Sequence, residues 1–240
     1  MNAIILAAGI SSRLRPLTDA VPKCLLAVGG RTLMERTLEA LETRSFEKIF
    51  IVTGYREEQI RESVSRLSAR APVEFVKNAR YEETSNAYSL WLALARSAGA
   101  PFLMLDSDIL FHPAILSRIL DTRRPNVIAL RESGATGEEE IKIEQEETGR
   151  ILRIGKEIPP ARAAGESIGI ERFSSATGTR LLEVLGRRKE KNEFYEASFQ
   201  ELLDRGEDMR SVPCGDLPCI EIDTPDDLRA AEDVAREIDR

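Results

Sequence analysis

The sequence predicts an α/β protein in which a mostly parallel, mixed sheet is wrapped by helices. Three observations carry that expectation. Short β-branched runs alternate with amphipathic stretches through the first half of the chain, the pattern of repeated strand–helix units. Hydrophobic residues make up 42% of the chain, enough for a sizeable core and too many for a mainly disordered protein. At about 150 residues per domain the length gives fewer than two domains, so one domain spanning residues 1–240 is expected.

Residues 3–6 form the first strand and 32–43 the helix after it; 48–53 with 57–67, and 73–76 with 85–95, repeat the unit. A fourth buried strand follows at 102–105, then a helix at 113–120 with Pro113 near its start, then a fifth strand at 126–130. Ligands of such sheets bind beyond the carboxyl ends of the strands. From residue 133 the texture changes. Alternating Ile141 and Ile143, then Thr148-Gly149-Arg150 before Ile151 and Ile154, predict a hairpin turning at 147–149. Pro159-Pro160 and the small residues up to Gly165 make an irregular loop suited to a lid. Strand 166–173, a helix capped by Ser174 and running to 185, and a helix at 194–203 come next. Strands at 210–213 and 219–222 precede a last helix that Thr224 caps and Pro225 opens. The stretch from about 133 to 205 is expected to be an insertion serving as a lid, not a second domain.

Acidic residues number 41 against 34 basic, a net charge of −7 with no basic block, which disfavours nucleic acid as a partner. No apolar run reaches the ~18–20 residues of a membrane span, and the apolar start has no signal-peptide flanks. A cytoplasmic protein without a membrane partner is expected, and homodimerisation is compatible with it. Cys24, Cys214 and Cys219 are odd in number, and the C-x4-C pair lacks the second pair of a zinc site; reduced thiols are expected.

Three segments carry chemistry. The first is Leu6-Ala7-Ala8-Gly9-Ile10-Ser11-Ser12-Arg13-Leu14-Arg15-Pro16-Leu17-Thr18. Its small residues let backbone N–H groups approach a polyphosphate while arginine forks bind the oxygens; a tight turn with two solvated arginines has the same composition. Neither a Walker loop nor a dinucleotide fingerprint is present. Downstream, Pro22 stiffens the approach to Lys23, which offers a point charge to a phosphate. The second segment, Asp106-Ser107-Asp108, ends a buried strand with two acids. Alternation puts both on one face, or leaves one at the strand tip and one in the turn; carboxylates beside a nucleotide suit Mg²⁺. The third is Glu221-Ile222-Asp223-Thr224-Pro225, where Asp223 stands just before a capped helix. A helix N-terminal acid is favoured by the dipole without any metal.

The first segment together with Pro22-Lys23-Cys24-Leu25-Leu26-Ala27-Val28-Gly29-Gly30 resembles the nucleotidyltransferase signature. The resemblance implies a Rossmann-like α/β/α sandwich of the nucleotide-diphospho-sugar transferase type. It implies nucleotide contacts from Leu6, Ala7, Ala8, Gly9 and Ser12, with catalytic Arg13 on the β- and γ-phosphates and catalytic Lys23 on the α-phosphate. It further implies a Mg²⁺ cofactor held by Asp108 and Asp223, with Asp106 near the nucleotide.

Asn78 to Leu90, with Thr84, Ser85 and Asn86, is similar to an element of cytidylyltransferases acting on phosphocholine and related small phosphorylated alcohols. The same resemblance runs through Ile168-Gly169-Ile170, Asn192 to Glu196 and the segment around Asp223. A resident of that family transfers CMP from CTP to a small phosphorylated alcohol or phosphonate and releases pyrophosphate. An acceptor with an amine or quaternary ammonium needs acidic or aromatic partners, and Glu132, Glu171, Tyr195 and Glu196, with Glu193, are the candidates. Trp91 is expected in the core, 138–140 on a solvated hairpin edge, and His112 at a helix start without chemistry. A sugar- or inositol-1-phosphate nucleotidyltransferase shares the loop and the acids. A non-catalytic nucleotide-sensing subunit would bind without turnover.

Overall fold

The structure, a computed structural model, describes all residues except 68, 98, 133–138, 189 and 191. The first half alternates strand and helix as expected: β1 (Asn2–Ala7), two-residue strands β2 (Ala27–Val28) and β3 (Arg31–Thr32), α1 (Leu33–Glu42), β4 (Ile49–Thr53), α2 (Glu57–Ser65), β5 (Val73–Lys77), α3 (Asn86–Arg96) and β6 (Phe102–Asp106). Then come β7 (Ile109–Phe111), α4 (Ala114–Asp121), β8 (Val127–Arg131), the hairpin β9 (Lys142–Gln145) and β10 (Ile151–Gly155), and β11 (Gly165–Phe173). The chain closes with α5 (Ser175–Arg188), α6 (Glu196–Asp204), β12 (Arg210–Pro213), β13 (Cys219–Glu221) and α7 (Pro225–Ile238).

The main sheet runs β10-β9-β11-β6-β1-β4-β5, with β8 and β12 branching from β11. Strands β6, β1, β4 and β5 are parallel, and β11 lies antiparallel between β6 and β9. Because side chains alternate along a strand, β1 serves two cores at once. Ile4 and Leu6 face one cluster with Leu90 and Leu94 of α3, Leu181 of α5 and Phe199 of α6. Ala3 and Ile5 face another with Met34 and Leu38 of α1, Ile60 of α2 and Leu116 of α4. Three layers result, with every residue of β1 buried, as strands of a doubly covered parallel sheet must be.

The capping signals are met in the helices that bracket the site. Thr32 accepts from Glu35 N–H at 3.1 Å while Glu35 accepts from Thr32 N–H at 2.7 Å, a reciprocal capping box. Thr224 and Asp227 do the same for α7. His112 stands just before Pro113, the cap residue of α4, and its Nδ1 accepts from Ala114 N–H at 3.1 Å. Trp91 packs half-buried against the core beside Tyr88, ring centroids 5.5 Å apart. Phe194, expected to open α6, precedes it by two residues and is 55% exposed. The polar stretch read before the hairpin lies outside the described residues up to position 138.

Of the elements that escaped the sequence reading, one matters most for the site. β7 follows the Asp108 turn directly and pairs antiparallel with β13, Glu221 opposite Ile109 and Cys219 opposite Phe111. That short ladder, continued by Ile222 N–H donating to Asp108 O at 3.0 Å, brings two acidic segments together from opposite ends of the chain.

Candidate active site

A cleft of about 480 Å³ opens where β1, β4, β5 and β6 end, the carboxyl edge at which parallel sheets bind ligands. In register, Leu6 stands beside Asp106, and Ala7 beside Thr53. The loop after β1 forms one wall. Ser11 takes a left-handed conformation (φ 55°), and its carbonyl accepts from Thr18 Oγ1 at 2.9 Å. The turn that follows sinks Leu14 completely into a small core with α7, which turns its neighbour Arg13 outward over the cleft. Gly54 allows the opposite wall to close in: a Cβ there would lie 2.8 Å from Ala8 O and 2.6 Å from Tyr81 Cβ.

Five charged side chains meet at one end. Lys23, 7% exposed, is set by the tight turn after Pro22, where Leu25 N–H returns to Pro22 O at 2.8 Å. Its Nζ lies 2.8 Å from Asp108 Oδ2 and 2.6 Å from Asp223 Oδ1. Arg13 Nη2 meets Asp223 Oδ2 at 2.7 Å. Exposed Glu221 adds a third carboxylate, and one oxygen from each of Asp108, Glu221 and Asp223 lies within 4.8 Å of the others. Burial alone would push the Lys23 ammonium down, but the carboxylates of Asp108 and Asp223 outweigh it and leave it above its ordinary value. Asp223 is the mirror image: enclosure raises it, Lys23 and Arg13 overcome that, and it ends below its usual range. Its backbone is held as well, its N–H donating to Asp227 Oδ2 at 3.0 Å.

The other end is acidic without compensation. Asp106, at the tip of β6, accepts from Tyr195 Oη at 2.6 Å. Enclosure, then Asp108 and Glu171, hold the Asp106 carboxyl well above its ordinary value. Gly169 (φ +68°) makes room for it, since a Cβ there would sit 2.6 Å from Asp106 Oδ2. Glu196, 8% exposed, lines the cleft, its Oε2 buried without a hydrogen-bond partner; burial pushes its carboxyl up to about 7. Among the described residues no ion pair reaches Asp106, Glu171 or Glu196. At the mouth Lys156 pairs with Glu139 at 3.0 Å and lies 5.5 Å over the Phe194 ring.

Fourteen of the residues singled out in the sequence line this cleft beside Arg13 and Lys23: Leu6, Ala7, Ala8, Gly9, Ser12, Asn78, Thr84, Ser85, Asn86, Asp106, Asp108, Tyr195, Glu196 and Asp223. Two expectations need correction. Glu132 is exposed and does not line the cleft. Glu171 is 0% exposed, on a strand buried along its whole length, with Ser167 Oγ donating to it at 3.3 Å; it stands behind the cleft. Glu139 and Glu140, expected on a solvated hairpin edge, line the cleft as well, the Glu139 side chain remaining 80% exposed.

The polar groups around Asn78 are largely committed to one another. Asn78 Nδ2 donates to Thr84 Oγ1 and to Ser89 Oγ, both at 3.1 Å, and its Oδ1 accepts from Arg80 N–H at 2.9 Å. Ser85 occupies the cap position of α3 but donates its hydroxyl to Glu193 O. Asn86 Oδ1 accepts from Tyr195 N–H at 3.0 Å, tying this loop to α6. Among the residues not named as candidates from the sequence are Glu221, Gly54, Tyr81 and Lys156; Glu221, flanking Asp223, and Tyr81, within the Asn78 to Leu90 element, lay in segments already singled out, whereas Gly54 and Lys156 carried no signal.

The chain is similar to known proteins in sequence and in fold. The chain is 32% identical over 191 residues to a 2-aminoethylphosphonate cytidylyltransferase of Lancefieldella rimae, covering 77% of this chain and 71% of that one. It is 29% identical over 239 residues to a bifunctional IPC transferase and DIPP synthase of Aquifex aeolicus. There it covers 96% of this chain but 51% of that protein, so the chain spans about half the length of that relative. In fold it matches the inositol-1-phosphate CTP transferase from T. maritima, with a TM-score of 0.84 at 22% identity over 100% of this chain and 96% of that one, which bears out the expected sandwich. The family model for the MobA-like NTP transferase domain matches residues 3–168, from β1 through the acids of the β6 edge to the strand behind them, and the chain belongs to that family.

Proposed function

We propose that this protein is a cytidylyltransferase that transfers CMP from CTP to a small acceptor bearing a phosphate or phosphonate at one end and a cationic nitrogen at the other. The observation that carries the reading is the division of one cleft into a charge-compensated end, where Lys23 and Arg13 meet Asp108 and Asp223, and an uncompensated acidic end at Asp106 and Glu196. The Lancefieldella relative supports the nucleotide and the acceptor class.

In the reaction an acceptor oxygen forms a bond to the α-phosphorus of CTP, and the bond to the bridging oxygen of the pyrophosphate breaks in line. No protein nucleophile is required. The β1 loop from Leu6 to Ser12 takes the nucleotide, and Arg13 and Lys23 neutralise charge on the triphosphate and on departing pyrophosphate. Before substrate arrives those cations are neutralised by the acids, so they are held in place by partners of opposite sign.

A divalent metal fits the same acids. Three carboxylates converge, and Asp108 Oδ1 is buried without a hydrogen-bond partner; hard oxygen donors of this kind suit Mg²⁺. Asp108 and Asp223, with Glu221, would hold it, and Mg²⁺ there supplies further charge neutralisation at the phosphates. At the opposite end Glu196, backed by Asp106 and Tyr195, orients the acceptor's cation, and the lid of the 133–205 insertion, described from residue 139, covers it. The reaction consumes small molecules of the cytoplasm, which is where we place the enzyme.

Pyrophosphate release with CTP, UTP, ATP and GTP against aminoethylphosphonate, phosphoethanolamine, phosphocholine, inositol 1-phosphate and glucose 1-phosphate tests the reading. CTP with a cationic acceptor is expected to give turnover. Turnover with inositol or glucose phosphate alone would move the enzyme to the inositol- or sugar-phosphate class, and nucleotide binding without turnover would make it a sensor.

A further inference from the structure

The loop that carries Arg13 has little burial to hold it: of residues 12–20 only Leu14 and Thr18 are buried. It is gripped instead by the turn between β4 and α2. Tyr55 N–H donates to Ala8 O at 3.1 Å, where the loop begins. The Tyr55 hydroxyl lies 3.0 Å from both Thr18 O and Asp19 O, where the loop returns, and donates to them. Arg56 donates from Nε to Tyr55 Oη at 2.9 Å and from Nη2 to Asp19 O, and Gln59 Nε2 donates to Ala20 O at 3.1 Å. Three successive carbonyls are thus taken by side chains at the start of α2. The Thr18 hydroxyl on Ser11 O closes the figure, so Arg13 stands at the apex of a loop tied at Ala8, Ser11 and Thr18.

Arg56 breaks two local rules at its place. It is the N-cap of α2 and makes no side-chain cap bond, at a position where Ser, Thr, Asp, Asn or Gly is preferred. Its backbone is left-handed (φ 49°), a conformation that costs a residue with a side chain free energy and persists only where the surroundings enforce it. Among the described residues three besides the glycines have positive φ, and two of them, Ser11 and Arg56, stand on the two sides of this contact. Local rules broken in this way mark functional positions. Tyr55, Arg56 and Gln59 do not line the cleft themselves, so whatever they contribute to it passes through the loop.

We infer that Tyr55 and Arg56, with Gln59, are positioning residues that clasp the β1 loop and hold Arg13 over the triphosphate, which rests on the phosphate role proposed above for Arg13. Because the clasp orders the loop before substrate arrives, less conformational freedom is lost on binding, and the arginine is already aimed.

Two variants test the clasp. Tyr55→Phe deletes only the hydroxyl, and Arg56→Gly deletes the guanidinium while suiting the left-handed backbone. Amide exchange in the unliganded protein, which needs no turnover, should be about tenfold faster across 11–20 in both, with exchange in α7 unchanged. Calorimetric titration with inorganic tripolyphosphate at fixed Mg²⁺ reads the reach of Arg13 without a base or an acceptor. Its Kd should rise about three- to tenfold in either variant, the worth of one hydrogen bond. In an Arg13→Ala background the same substitutions should add nothing to Kd, since the group they position is gone; a contact that is merely structural would act equally in both backgrounds. Unchanged exchange across 11–20 overturns the clasp. A rise in Kd as large without Arg13 as with it overturns the action through Arg13. Tripolyphosphate binding that both variants leave unaltered overturns this inference alone, whereas a wild-type protein that binds no tripolyphosphate overturns the phosphate role of Arg13 and the inference with it.

Discussion

The two ends of the cleft contain similar side chains under opposite conditions. At the phosphate end Asp108 and Asp223 each have a cation within 3 Å, and the pairing lowers Asp223 while raising Lys23; only Glu221 beside them is pushed up, to about 8, by enclosure and by those two acids. At the acceptor end Asp106, Glu171 and Glu196 are crowded around Tyr195, and all three carboxyls are pushed up by enclosure first. The difference teaches what each end lacks. The first end has its cations already paired and must exchange partners when substrate and metal arrive; the second has no ion pair of its own among the described residues and gains its stability from an incoming cation. Burying an unpaired acid is costly, which gives the second end a reason to select a ligand that carries positive charge.

The strongest way to break this comparison is to remove an acid from the paired end. Asp223→Ala leaves Arg13 and Lys23 without their shared partner and deletes one of the converging carboxylates. Pyrophosphate release at saturating Mg²⁺ should fall by at least about 10³-fold. Full activity with normal metal dependence would show that Asp223 is only a helix-terminal acid. Next in size is Lys23→Ala. Its kcat should fall by about 10²–10³, the cost of losing one preorganised charge contact. The metal should at the same time saturate at lower concentration, because Asp108 and Asp223 lose a competing cation. Unchanged turnover removes Lys23 from the chemistry.

At the unpaired end Glu196→Gln keeps the shape and deletes the charge. A hydrogen bond to a charged group contributes about 1.5–3 kcal/mol, so KM for a cationic acceptor should rise about 10- to 100-fold, with KM for CTP unchanged. Proton linkage sharpens the same point. The Glu196 carboxyl holds its proton in the folded protein up to about 7, against an ordinary value of 4.5. Between those values the folded chain binds more protons than the unfolded one, so this residue's contribution favours folding at low pH and declines as pH rises from 4.5 toward about 7. Acceptor binding runs the other way, since only the carboxylate pairs with a cation. KM should fall as pH rises through about 7, and in Glu196→Gln that slope should be gone. A pH-independent KM in the wild type would place the acceptor's cation elsewhere.

Much of the phosphate end was legible because its signals are local. Pro22 before Lys23, a hydroxyl- and arginine-bearing loop after a buried strand, and two acids ending another strand each announce themselves within a few residues. Asp106 and Asp108 took the second of the two arrangements that alternation allowed, one at the strand tip and one in the turn. The ladder of β7 with β13 was not legible, because Ile109–Phe111 follows the acids with no turn signal of its own and pairs with a strand over a hundred residues away. The acceptor end was read less well for a related reason. Glu132, Glu171 and Glu196 are alike in sequence, and only packing separates the exposed one, the one walled in behind β11 and the one that faces the cleft. Glu139 and Glu140 sit in an acidic run that by composition belongs to solvent.

The smallest expected effect separates the cap of α7 from the chemistry beside it. Thr224 Oγ1 accepts from Asp227 N–H at 3.2 Å and donates to Asp227 Oδ2 at 2.8 Å, and the same oxygen accepts from Asp223 N–H at 3.0 Å. Thr224→Ala removes the cap hydroxyl at a cost of about 1 kcal/mol, a fall in Tm of about 2–4 °C for a chain of this size. Turnover should change by less than about twofold, since Asp227 still holds Asp223 N–H and Ile222 N–H still donates to Asp108 O at 3.0 Å. Thermal melting and pyrophosphate release measured on the same preparation check both numbers. Loss of turnover as severe as that of Lys23→Ala would mean that the position of Asp223 depends on the cap, and that the paired end of the cleft owes its geometry to α7 more than to its own ion pairs.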